Sequence, residues 1–294
     1  MKVRVAALYF SGRNMIILSH FQAQEISARA KFGQKGIEAS LDLGISVSKV
    51  KVEGQKVIFP GGESAPLQDV EKIAKDDKSC YYLDEGKFHK LAIFSEETNL
   101  YYKLFPTRTA PTIEISGIRM HRVKDITPWE DAESKTKSLG EIRGRLLDTC
   151  TGLGYTAIIS SHHADEVWTF EKDAAVIEME KLNPWSSELF SSKKIRRESI
   201  SIIDGIEKFK NNFFDFIIHD PPSIVIASEL YSSDFYAKLY SKLKKGGKLY
   251  HYTGNPGAKF RHMDVMGSVI RHLKEAGFRN VRKDEGTLGI LAEK

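Results

Sequence analysis

Cysteine is scarce in this chain of 294 residues, which has only Cys80 and Cys150, with no CxxC pair and no Cys/His cluster. A disulfide framework needs several cysteines and a zinc site needs clustered ligands, so we expect neither, and no metal. No apolar run approaches the roughly 20 residues that cross a bilayer. The opening MKVRVAALYFSGRN has a short apolar part with Arg13 where a cleavage site would stand, so we expect a cytoplasmic protein.

A strong excess of one charge is also lacking. The net charge is +5, and the first 125 residues carry 19 Lys and Arg against 15 Asp and Glu. This mild excess permits an acidic partner such as RNA but does not demand one. The length corresponds to about two domains.

Residues 1–125 are predicted to form a β-rich N-terminal domain. Residues 45–60 alternate apolar and polar side chains around Glu53-Gly54, which predicts a hairpin. Residues 79–105 hold short aromatic and β-branched runs, which predict a small antiparallel sheet. Residues 66–76 have the periodicity of an amphipathic helix.

Residues 126–294 have a different texture. Thr127, Pro128 and Glu130 match a helix start, and alternating strands and helices follow. Strands are predicted at 145–150, 166–170, 193–199, 213–219 and 247–252, with a last helix at about 264–276 and two antiparallel strands after it. This alternation predicts an α/β fold with a doubly wound, mostly parallel sheet.

The first strand of this second domain runs into a glycine loop, LLDTCTGLGYTA, at residues 146–157. Gly152 and Gly154 let the backbone turn sharply and approach a ligand. The loop is not the dinucleotide GxGxxG motif. It offers Asp148, an acid that suits a cationic amino group better than a pyrophosphate.

Two later positions extend this ligand site. Glu171 ends the second strand, where an acid can accept both hydroxyls of a ribose. Ser201 and Asp204 form an S-x-x-D helix start after the third strand. We expect Ser201 to cap that helix, and either Ser201 or Asp204 to contact an adenine.

In this order the motifs resemble class I S-adenosylmethionine-dependent methyltransferases: Asp148-x-x-x-Gly152-x-Gly154, Glu171, Asp220-Pro221-Pro222 and Gly246-Gly247. The resemblance covers roughly residues 126–294 and implies a seven-stranded sheet and S-adenosylmethionine as cofactor. It implies cofactor contacts from Asp148, Thr149, Thr151, Gly152, Gly154, Tyr155, Glu171, Lys172, Ser201 and Asp204. One position departs: the family often has glycine where Cys150 stands, and we interpret Cys150 as a tolerated small residue.

The fourth strand ends in Asp220-Pro221-Pro222. In the family this motif marks methyltransferases that act on planar exocyclic amines, such as cytosine N4 or adenine N6. The resemblance implies that the Asp220 carboxylate and the Pro221 carbonyl each accept one N–H of the amine, with Pro222 in the same turn. These three residues are therefore the predicted catalytic set.

The aromatic residue that usually follows the prolines in the family is Ser223 here. A stacking ring must then come from residues 231–236 or 250–252. The predicted substrate-binding residues are Ser223, Tyr231, His251, Tyr252 and Asn255. Helix-face packing is an alternative explanation for Tyr231 and Phe235.

Almost the whole chain also resembles an archaeal group of predicted methyltransferases, through "IIHDPP", "ELYSSDFY" and "HYTGNPG". That group is similar to archaeal small-subunit rRNA cytidine-N4 methyltransferases. The resemblance implies an RNA partner, gripped by the N-terminal domain and by Arg119, Arg122 and Lys124.

Two other functions are compatible with the sequence. "IIDGIEKF" followed by "FFDFIIHDPP" is loosely similar to spermidine synthases, which implies aminopropyl transfer to a small amine. A non-catalytic RNA-binding module is the third hypothesis.

Overall fold

A computed structural model of the protein describes residues 15–254 and 264–294. Contacts divide the chain into two units, one of residues up to Trp129 together with 178–187, the other of residues 130–177 and 188–294. Within the described ranges, no helix combines the length and the apolar character that a membrane crossing requires.

From residue 15 to Trp129, the described part of the first unit contains three small antiparallel sheets and two helices that pack on each other. The first sheet consists of β1 (Ile17–Leu18), β6 (Tyr81–Asp84) and β7 (Lys87–Lys90). The second consists of β2 (Gly36–Ala39), β3 (Ser48–Glu53), β4 (Lys56–Ile58) and β5 (Ser64–Pro66). The third consists of β8 (Ala92–Ser95), β9 (Leu100–Phe105), β10 (Thr112–Ile115) and β11 (Ile118–Arg119). The helices are α1 (His20–Lys31) and α2 (Leu67–Ile73).

The predicted hairpin around Glu53-Gly54 is confirmed as the β3–β4 pair. Helix α1, in contrast, was not predicted. Its start is a capping box: the Ser19 hydroxyl accepts the Phe21 N–H at 3.3 Å, and the Gln22 side chain accepts the Ser19 N–H at 3.0 Å. The helix then buries Ala23 and Ile26 in the core of this unit.

The second unit is built on one seven-stranded sheet in the order β14-β13-β12-β15-β16-β18-β17. Counted within this unit, the order is 3-2-1-4-5-7-6, and β18 runs antiparallel to its two neighbours. The strands are β12 (Arg145–Asp148), β13 (Glu166–Phe170), β14 (Ile195–Glu198), β15 (Phe214–His219), β16 (Leu243–Tyr252), β17 (Arg279–Asp284) and β18 (Gly289–Glu293). The prediction of a doubly wound, mostly parallel, seven-stranded sheet is confirmed.

Helices connect these strands and begin where the sequence offers caps. They are α3 (Pro128–Ser138), α4 (Tyr155–Ser161), α5 (Ala174–Leu182), α6 (Glu188–Ser191), α7 (Ile202–Gly205), α8 (Ser233–Lys242) and α9 (Val265–Glu275). Ser232 caps α8 through the Phe235 N–H, and Asp264 caps α9 through the Gly267 N–H. The core of this unit lies between the sheet and helices α8 and α9, with Leu147, Phe214 and Leu249 fully buried.

One strand boundary differs from the prediction. Strand β16 begins at Leu243, four residues before the predicted start at 247. It therefore includes residues 243–248, LKKGGK, a sequence that is typical of a solvent-exposed turn. The pairing with β15 shifts register there. The chain end holds this segment in the sheet, because the Gly246 N–H donates to the Lys294 carbonyl and the Lys294 N–H to the Gly247 carbonyl.

Candidate active site

Asp148, the last residue of β12, is fully buried. Its Oδ2 accepts hydrogen bonds from the hydroxyls of Thr169 at 2.9 Å and Thr156 at 3.3 Å. Its Oδ1 is also buried, yet it accepts no hydrogen bond from any residue that the structure describes. Burial raises the pKa of the Asp148 carboxyl group to about 8. A buried acceptor without a donor is costly, so this oxygen fits a donor group brought by a ligand.

The loop after Asp148 turns through two glycines with positive φ, +55° at Gly152 and +80° at Gly154. A Cβ on Gly154 would lie 2.2 Å from Cδ1 of Leu189, so close packing excludes a side chain there. A Cβ on Gly152 would meet no atom of the described residues within 4 Å. The space beside Gly152 is therefore open to a ligand at the carboxyl edge of the sheet.

Glu171, which follows β13, is held against this loop. Its Oε2 accepts the Gly152 N–H at 3.1 Å, and its Oε1 accepts the Asp173 N–H at 2.9 Å. Burial raises the pKa of Glu171. Because each carboxylate oxygen can accept a second hydrogen bond, this arrangement can bind two adjacent hydroxyls.

The other residues of the glycine loop face the interior. The Thr151 hydroxyl lies 2.7 Å from the hydroxyl of Thr169, and Tyr155 is buried in α4. Burial raises the pKa of the Cys150 thiol well above its usual value, so this cysteine stays protonated and is a poor nucleophile.

The residues predicted near the adenine lie on α7 and after β13. Ser201 caps α7 by accepting the Ile203 N–H at 3.2 Å, which confirms the predicted cap. Asp204 is exposed in the same short helix. Lys172 is exposed and forms an ion pair with Glu229 at 3.5 Å. Which of Ser201 and Asp204 contacts an adenine stays a prediction.

Asp220, directly after β15, is bound by a lysine that the sequence analysis did not single out. Lys135 donates from Nζ to Oδ2 of Asp220 at 2.7 Å, and forms an ion pair with Oδ2 of Asp131 at 2.9 Å. The side chains of Lys135 and Asp131 are 4% and 1% exposed, against 20% for Asp220. The Lys135 ammonium also lies 4.1 Å from the centroid of the Tyr252 ring. Burial disfavours its charge, but the carboxylates of Asp220 and Asp131 outweigh burial and raise the pKa of Lys135.

A signal for this pair was present in the sequence. Asp131 and Lys135 are four residues apart on α3, so they share one face of the helix. Buried Ala132 and Leu139 lie on or beside that face. A charged pair on the inward face of a helix is costly to bury, so it marks both residues as candidates for a polar site.

The acceptors of the Asp-Pro-Pro turn fall into two groups. Oδ2 of Asp220 is engaged by Lys135, and the Pro222 carbonyl accepts the Tyr231 hydroxyl at 3.0 Å. Oδ1 of Asp220 and the carbonyl of the buried Pro221 accept no hydrogen bond from the described part of the chain. Asp220 and Pro221 therefore each have one acceptor oxygen that receives no hydrogen bond from a described residue.

Two histidines lie side by side at the ends of β15 and β16. His219 and His251 are paired in register, fully buried, and have ring centroids 4.4 Å apart. His219 Nε2 donates to the Leu230 carbonyl at 3.0 Å, so its Nδ1 accepts the Thr149 hydroxyl at 2.7 Å. Burial lowers the pKa of His219 to about 4, and burial together with His219 lowers that of His251 well below the usual value.

The rings predicted as stacking surfaces differ in exposure. Five of them are buried: Tyr231 at 7%, Phe235 at 1%, and Tyr236, Tyr250 and His251 at 0%. Their packing in the interior explains their spacing and leaves no exposed face for a base. Tyr252 is half-buried and Ser223 exposed. Asn255 lies outside the described residues.

No family model matches the sequence. The chain is 43% identical over 254 residues to the uncharacterized protein MJ1233 of Methanocaldococcus jannaschii, with 84% of each chain covered. Two spermidine synthase structures are similar in fold. One, in complex with the transition-state analogue AdoDATO, has a TM-score of 0.53 at 19% identity over 71% of this chain and 75% of that one. The other, from Thermotoga maritima, has a TM-score of 0.52 at 18% identity over 70% and 74%.

Proposed function

This chain belongs to the same family as MJ1233, and we propose that it is an S-adenosylmethionine-dependent methyltransferase that acts on an exocyclic amine of an RNA base. The observation that carries the proposal is the pair of unengaged acceptors, Oδ1 of Asp220 and the carbonyl of Pro221. They follow the fourth strand of the sheet at its carboxyl edge, where open α/β sheets bind their ligands.

The cofactor assignment is supported by three features of the glycine loop. Oδ1 of Asp148 is a buried acceptor that suits a cationic amino group. Glu171 can accept the two hydroxyls of a ribose, and the open space beside Gly152 admits the ligand backbone. When bound, S-adenosylmethionine supplies an electrophilic methyl group.

The Asp-Pro-Pro turn suits an exocyclic amine because such a nitrogen has two N–H donors and a lone pair delocalised into its ring. Oδ1 of Asp220 accepts one N–H and the Pro221 carbonyl accepts the other, which orients the nitrogen for direct attack on the methyl carbon. S-adenosylmethionine, when bound, would supply the methyl group for the new N–C bond and leave as S-adenosylhomocysteine. Asp220 Oδ1 would accept the proton that the nitrogen loses and pass it to solvent.

We propose cytidine N4 in 16S rRNA as the target, from the resemblance to archaeal cytidine-N4 methyltransferases. Such a base must leave its stack to reach Asp220. Tyr252 is the half-buried ring of the predicted set, so it is the proposed stacking surface. The Lys135 ammonium contacts one face of this ring. Arg119, Arg122 and Lys124 are the proposed contacts to the RNA backbone.

Aminopropyl transfer to a small amine is the second candidate, favoured by the fold similarity to spermidine synthases. A cationic polyamine requires free carboxylates. Asp131 and Asp220 are already paired with the Lys135 ammonium, which disfavours this substrate.

The test is a transfer assay with purified protein and methyl-labelled S-adenosylmethionine on total RNA. We expect label in RNA, a loss of about 100-fold or more in Asp220→Ala, and unchanged cofactor affinity in that variant. Asp234→Ala, at an exposed acid on α8, is the matched control and should behave as wild type. Label transfer that does not depend on Asp220 would contradict the mechanism. Transfer from decarboxylated cofactor to putrescine, without methylation of RNA, would support the second candidate. Cofactor binding without transfer would indicate a non-catalytic module.

A further inference from the structure

We propose that Lys135 is a positioning residue that orients Asp220 for the substrate amine. The inference rests on the proposed function and deepens it, because it assigns the residue that leaves Oδ1 of Asp220 facing the substrate. It is based on the buried group of Asp131, Lys135 and Asp220.

The Lys135 ammonium has three N–H donors, and three groups surround it. Two carboxylates lie at 2.7 Å and 2.9 Å, and the face of the Tyr252 ring lies at 4.1 Å. With Oδ2 of Asp220 held in this way, the carboxylate has one orientation, and Oδ1 is the oxygen left for a substrate.

Helix stability does not explain why this pair is buried. The same helix carries a second pair at the same spacing, Glu133 and Lys137, with side chains 38% and 76% exposed. An exposed pair of this kind supports a helix by a few tenths of a kcal/mol, without the desolvation that burial costs. The burial of Asp131 and Lys135 is therefore better explained by the ion pair that Lys135 forms with Asp220.

The first test compares two double variants in the labelled-methyl assay. Asp131→Asn/Lys135→Met keeps the net charge of the group at −1 and leaves no unpaired Asp131, so it is designed to fold. We expect kcat to fall about 10–100-fold, with the melting temperature and the affinity for S-adenosylmethionine close to wild type. Glu133→Gln/Lys137→Met, the matched exposed pair, should leave kcat unchanged.

The second test is chemical rescue of Lys135→Ala. Propylammonium has the size and charge of the deleted atoms, and we expect it to restore part of kcat, whereas propanol, which is uncharged, should restore none. Unchanged kcat in Asp131→Asn/Lys135→Met would overturn the role of Lys135. So would a joint fall of kcat, cofactor affinity and melting temperature without rescue. A wild-type protein that methylates no RNA would instead contradict the proposed function itself.

Discussion

The hydroxyl of Thr149 lies 2.7 Å from Nδ1 of His219, and this contact connects the cofactor loop after β12 to the strand that leads into Asp220. The same ring donates from Nε2 to the carbonyl of Leu230 at 3.0 Å. One neutral histidine thus joins the cofactor loop at Thr149 to Leu230, which ends the segment that holds the proposed substrate acceptors.

Replacing this histidine should destabilise the protein. His219→Phe fills a similar volume but leaves the Thr149 hydroxyl and the Leu230 carbonyl buried without a partner, and each such loss costs about 1–3 kcal/mol. We expect a loss of about 2–6 kcal/mol in the free energy of unfolding, measured by urea denaturation. His163→Phe, at an exposed position two residues after α4, should change it by less than about 0.5 kcal/mol.

The pH dependence of the same variant has a definite sign. The pKa of His219 is about 4 in the folded protein and about 6.5 when unfolded, so the folded state binds fewer protons between these values. Wild-type stability should therefore fall as pH falls from 6.5 to 4, and His219→Phe should lack this contribution. Equal pH slopes for the two proteins would contradict a buried neutral His219.

Cofactor binding should release a proton from Asp148. Its pKa of about 8 keeps the carboxyl group mostly protonated at pH 7, whereas a cationic amino group at Oδ1 favours the carboxylate. Calorimetric titration in two buffers of different ionisation enthalpy should show release of about one proton at pH 7, and none in Asp148→Asn. Binding heats that are independent of the buffer would show that Asp148 does not face the amino group.

The two glycines of the loop should fail in different ways when changed to alanine. Gly154→Ala places a Cβ 2.2 Å from Leu189, so we expect a large fall in melting temperature. Gly152→Ala has open space, so we expect a smaller loss of about 1 kcal/mol from its positive φ. Its affinity for S-adenosylmethionine should nevertheless fall about tenfold or more, because the Cβ occupies the ligand space. Intact affinity in a folded Gly152→Ala would exclude that space as the cofactor site.

Local patterns predicted the second unit well because its strands, caps and glycine turns each depend on neighbouring residues. Asp131 and Lys135 were missed because their partner Asp220 lies 85 residues away from Lys135 in the chain. The packing alternative for Tyr231 and Phe235 is the one the structure supports. The burial of His251 could not be predicted, since a ring at a strand end suits a core and a binding surface alike. Helix α1 was missed because few of its side chains are buried, so its sequence has no strong apolar periodicity. Its start depends on the Ser19 cap.

The central claim is that Asp220 presents an exocyclic amine of an RNA base for methylation. Mass spectrometry of nucleosides from the small-subunit rRNA of a deletion strain and its parent tests it most directly. We predict that an N4-methylated cytidine present in the parent is absent from the deletion strain, and returns with the wild-type gene but not with Asp220→Ala. Identical methylated nucleosides in both strains would contradict the account.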